Sequence, residues 1–125
     1  MKSLKLLVSI LALVVTCAFT QPVYTPYAYE SLTVSNTSKG FTSTKLVDPT
    51  NSINSANYLM FTVNCASGTT CILRFTVDGT TPTTAVGMRA LYGDNVQIFG
   101  FKANKAFRGI RETSTDVLLD TTFYR

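Results

Sequence analysis

The chain has 125 residues, eleven Lys and Arg against seven Asp and Glu, three Cys, and neither His nor Trp. Without His there is no Ser-His-Asp or Cys-His catalytic set and no His-ligated zinc site. Neither a Gly-x-Gly-x-x-Gly nor a Walker pattern occurs, which removes the phosphate loops of nucleotide-binding folds, and the length fits one domain.

Residues 1–20 read as a secretory signal peptide. Lys2 and Lys5 form a positive start, Leu6 to Val15 is apolar except for Ser9, and Ala18 and Thr20 supply small residues ahead of Gln21. Cleavage after Cys17 is the alternative. The apolar run is shorter than the roughly 20 residues of a membrane-spanning helix, so membrane contact is expected only through this segment. Its removal takes away two lysines and leaves nine basic against seven acidic side chains. That small excess, with no cluster of Lys or Arg, gives no basis for nucleic-acid binding.

Residues 21–30 hold Pro22, Pro26, Tyr24, Tyr27 and Tyr29. Proline blocks helix and favours extended chain, so this stretch reads as an extended Tyr/Pro-rich arm, with Tyr24 and Tyr27 as candidate partner contacts. From residue 31 to 125 short strands alternate with polar turns. Leu32-Thr33-Val34 precedes a turn at residues 35–40, residues 41–46 extend again, and residues 48–57 form a polar loop. Residues 58–63 and 72–77 alternate with period two, placing Leu59, Phe61 and Val63, and then Leu73, Phe75 and Val77, on one face. Residues 88–92, 95–101, 106–111 and 117–124 complete the set. No eleven-residue window has helical spacing. The expectation is an all-β chain: one small β-sandwich or jelly-roll-like domain of about eight short antiparallel strands, following the signal helix.

Cys65 and Cys71 flank Ser67-Gly68-Thr69 between two strand-like runs. Two Cys beside a hairpin tip face each other within bridging reach, and export makes the disulfide plausible. Two thiols without His do not make a zinc site, and the spacing is not that of a redox centre. Asp78-Gly79-Thr80-Thr81-Pro82 follows a strand directly. Asp78 can bond the backbone two residues on, Gly79 accepts positive φ, and Pro82 stiffens the loop, so the motif reads as a structural turn. Asn36-Thr37-Ser38 fits the glycosylation pattern, which chance readily yields in a Ser/Thr-rich chain. Arg108 and Arg111 alternate with apolar residues and are candidate partner contacts. No cofactor, metal or catalytic residue is expected.

The ordered series Leu32-Thr33-Val34-Ser35, Gly40-Phe41-Thr42, residues 74–83 from Arg74 to Thr83, Gly87, Gly93-Asp94, residues 107–111 and the terminal Phe123-Tyr124-Arg125 resembles small β-sandwich structural proteins of tailed bacteriophages, here with an added signal peptide. The similarity spans residues 30–125. It implies a non-enzymatic, virion-associated or decoration module that packs on other virion or surface proteins, as a homo-oligomer. The alternative is an exported surface or periplasmic module binding glycan or protein, for which exposed tyrosines at positions 24, 27, 58 and 92 would serve as platforms.

Overall fold

Period-two alternation closes this chain into two antiparallel sheets. The computed structural model describes residues 22–50 and 55–125; the expected signal peptide lies outside the described residues. The strands are β1 (Pro26–Val34), β2 (Tyr58–Cys65), β3 (Ile72–Thr76), β4 (Met88–Leu91), β5 (Asn95–Phe99), β6 (Arg108–Arg111) and β7 (Val117–Tyr124), with two short helices, α1 (Ser43–Leu46) and α2 (Phe101–Ala106). One sheet has the order β1-β7-β2-β5 and the other β4-β3-β6. The fold is all-β, as the alternation predicts, with seven strands among the described residues.

Leu59, Phe61 and Val63 of β2, Leu73 and Phe75 of β3, and Val117, Leu119 and Phe123 of β7 are all buried in one core. Its centre is aromatic. Phe61 and Phe75 meet edge-to-face at 5.9 Å, linking the sheets. Phe107, ahead of β6, lies 5.6 Å from Phe61 and 5.8 Å from Phe75, and Phe41 stacks on it at 4.3 Å. Each such pair adds about 0.5–1.5 kcal/mol beyond area burial. The fit is close at Gly109, where a Cβ would come within 3.2 Å of both Leu73 and the Phe107 ring.

The expected arm is corrected. Residues 26–30 belong to β1, in register with β7 from Pro26↔Tyr124 to Val34↔Val117, and Thr25 exchanges backbone hydrogen bonds with Arg125. Pro26 is compatible because β1 is a margin strand, where a missing amide costs no ladder bond. The expected extension at residues 41–46 is a single helical turn, with Phe41 and Leu46 buried and Ser43, Thr44 and Lys45 exposed. The strand expected to reach Phe101 stops at Phe99. Gly100 turns the chain at φ +92° and α2 begins. Both helices are far shorter than the window in which helical spacing registers.

Cys65 and Cys71 are bonded, with Cα atoms 5.5 Å apart. The bond is not a hairpin clasp, because β2 and β3 lie in different sheets. It closes the loop that carries the chain from one sheet to the other, and the Cys71 amide donates to Cys65 Sγ at 3.1 Å. In the loop-closure account so short a ring restricts the unfolded chain by about 2 kcal/mol. The double variant Cys65→Ser/Cys71→Ser is therefore expected to lose about 2 kcal/mol in urea unfolding. An unchanged midpoint would mean that the loop is held by its other contacts alone.

Candidate functional site

The outward face of the four-stranded sheet gathers side chains that are far apart in sequence. Register aligns Tyr58 of β2 with Phe99 of β5 on one side and with Tyr124 of β7 on the other. The rings form a row, with Tyr58–Phe99 stacked at 4.9 Å and Tyr58–Tyr124 at 4.8 Å. Tyr24 adds a fourth ring, 5.0 Å from Tyr58 and 6.4 Å from Phe99. Phe99 is 58% exposed and Tyr24 38%, while Tyr58 and Tyr124 are half-buried. Desolvation, and then the neighbouring Tyr124 and Tyr24, raise the Tyr58 hydroxyl above its ordinary 10.0.

Two residues further along the strands, Gln97, Met60, Thr122 and Tyr29 form the next row, and Tyr29 is 67% exposed. Beyond it lies a polar row. Asp120 accepts from Ser31 Oγ at 3.0 Å and from Asn64 Nδ2 at 2.5 Å, and Thr62 Oγ1 donates to Asn95 Oδ1 at 2.6 Å. Tyr29, Glu30, Ser31, Asp120, Thr121 and Thr122 line a shallow depression of about 300 Å³. At about 3.3 Å per residue, Asp120 lies about 13 Å from the aromatic row. The face is thus apolar and aromatic at one end and carries a solvent-facing carboxylate at the other.

The expected contact residues divide. Tyr24 sits in the aromatic row. Tyr27 is half-buried and its hydroxyl donates to Lys45 O at 3.0 Å; desolvation raises it above the ordinary tyrosine value, against the opposing charge of Arg125. Tyr92, 47% exposed, is not part of this row and follows Leu91, itself 49% exposed, at the end of β4. Arg108 folds back to donate to Phe107 O at 2.7 Å, and Arg111 pairs with Asp116 at 2.5 Å and donates to Ser114 O at 2.7 Å. The chain itself engages both guanidiniums. The turn at residues 78–82 is as expected: Thr80 N donates to Asp78 Oδ1 at 2.9 Å, Gly79 has φ +88°, and Pro82 is buried. The Thr80 hydrogen bonds hold the Asp78 carboxyl below its ordinary value.

All seven carboxylates have partners within the fold. Beyond Asp78, Asp116 and Asp120, Glu30 accepts from Thr42, Asp48 from Thr50 and Arg125, Asp94 from the Leu91 amide, and Glu112 from Arg74 and Arg89. Among the described residues no group of three or more His, Cys, Asp or Glu could hold a metal ion, and no helix is long and apolar enough to cross a membrane. The disulfide suits an oxidising, exported compartment.

Glu112 links β3, β4 and the end of β6 on the outer face of the three-stranded sheet. Desolvation opposes its charge, but the Arg74 hydrogen bond and charge, helped by Arg89, hold it below its ordinary 4.5. A carboxylate lowered by folding stabilises the fold above its unfolded value, and that contribution is lost as pH falls through the folded value. Melting temperature should therefore be flat above about pH 5 and fall in acid. Glu112→Gln should melt lower at neutral pH and show a shallower acid decline. Parallel pH profiles for the two proteins would show that this cluster does not contribute.

No protein-family model, curated protein or solved structure is found to match this chain, so a functional reading starts from the geometry of this sheet face.

Proposed function

We propose that the protein is an exported, non-enzymatic binding module that takes carbohydrate on the outward face of its four-stranded sheet. The observation that carries this reading is the partly exposed row Phe99–Tyr58–Tyr124 with Tyr24, set in line with Asp120. A pyranose ring has apolar C–H faces and a rim of hydroxyls. Aromatic rings suit the faces, and a few placed polar groups fix the rim. The roughly 13 Å from row to carboxylate accommodates a short oligosaccharide along the strand direction. A carboxylate that already accepts from Ser31 and Asn64 keeps lone pairs for hydroxyl donors. The engagement of all seven carboxylates by fold donors supports binding over hydrolysis.

A second reading, a virion-associated structural module, draws on the phage-like residue series and on exposed apolar side chains around β4, among them Val86, Leu91 and Tyr92, which protein packing would cover. The two readings separate by experiment. A glycan array followed by calorimetry should give a binding oligosaccharide whose affinity drops roughly five- to tenfold in Phe99→Ala. Asp120→Asn should weaken it without altering the melting curve. No bound oligosaccharide at millimolar concentration, together with copies held in phage-like particles at a constant ratio to the major capsid protein, would replace the carbohydrate reading with the virion one.

A further inference from the structure

Among the described residues four strands form sheet margins: β1 and β5 in one sheet, β4 and β6 in the other. Three carry features that discourage edge-to-edge pairing. β1 begins at Pro26 and has an irregular register between Pro26 and Ala28. β4 carries Arg89, and β6 carries Arg108 and Arg111 and is bridged to Lys39. β5, Asn95-Val96-Gln97-Ile98-Phe99, has no charge, no proline and an even register along β2.

Its backbone polarity can be followed from the bonds at its ends. Val63 N donates to Asp94 O, and Gly100 N donates to Asn57 O. Antiparallel alternation then turns the amides and carbonyls of Val96 and Ile98 toward β2 and those of Asn95, Gln97 and Phe99 outward. Beside this margin Phe75, Val77, Met88, Val96, Ile98 and Ala103 line an apolar groove of about 410 Å³, open between the sheet margins.

We propose that β5 pairs antiparallel with β5 of a second copy of this chain, about a two-fold axis at Gln97, joining two four-stranded sheets into one. The outward groups are self-complementary under that axis. Gln97 meets Gln97, and Asn95 of each copy meets Phe99 of the other, all as hydrogen-bonded pairs. Charge favours a second copy over a foreign strand. Asp94 precedes β5, and α2 follows it with Lys102 and Lys105 and no acid. The two-fold brings the acid of each copy toward the basic helix of the other. Among the described residues neither lysine has an ion-pair partner. The same axis sets the two apolar grooves against each other, covering Val77 and Met88. The inference rests on the strand margin and is independent of carbohydrate binding.

Sedimentation of the full chain, with its disulfide intact and without glycan, tests this over roughly 1 µM to 1 mM. A reversible dimer is expected. Gln97→Pro should sediment as a folded monomer, because that amide points away from β2 and its loss breaks no bond within a copy. Gln97→Lys and Gln97→Glu should each be monomeric, since like charges then face each other across the axis, and an equimolar mixture should recover the dimer. A monomeric wild type at 1 mM, a folded dimeric Gln97→Pro, or a mixture that stays monomeric would overturn the proposal. If Gln97→Pro fails to fold, the charge pair decides alone.

Discussion

The contact on which this structure depends is that of Phe61 and Phe75 through Phe107. Neither sheet could be stable alone, since each would leave one apolar face in water. The edge-to-face pair and the ring that braces it join the two faces into one core. Phe107 is supplied by neither sheet's regular strands but by the link between α2 and β6, and α2 is itself fixed by the bond from buried Asn104 Nδ2 to Ala56 O. The aromatic centre thus sets sheet spacing, and the spacing sets which strands remain as open margins.

With the inner faces committed, the outer faces divide the polar work. The outer face of the three-stranded sheet carries Arg74 and Arg89 on a shared Glu112. The four-stranded sheet carries the aromatic row and Asp120. This separation leaves one face as a charge-paired brace and the other as an amphipathic surface. Neither arrangement needs a deep pocket, which a domain of this size has little interior to supply.

The sequence was informative where period two runs against a single sheet. The alternation at residues 58–63 and 72–77 identified strands and most of their inward side chains alike, and residues 117–124 were legible as a strand. The Asp78-Gly79 turn was legible because its chemistry is local. Three features were not. Pro26 and three tyrosines resemble an arm, but a proline-led margin strand has the same composition. Cys65 and Cys71 announce a bridge at any short loop, and the spacing is the same whether the chain turns back in one sheet or crosses to the other. The aromatic row lay beyond reach because Tyr58, Phe99 and Tyr124 are neighbours only through register, and register follows from strand order. The order β1-β7-β2-β5 carries no local signal.

The pairing of β1 with β7 also has a mechanical consequence. Pro26 lies opposite Tyr124, so the chain enters β1 and leaves β7 at the same end of one antiparallel ladder. Tension applied between Pro22 and Arg125 would load the first rung alone and open the ladder bond by bond, rather than shearing all rungs together. The fold therefore resists traction poorly when pulled between these two points.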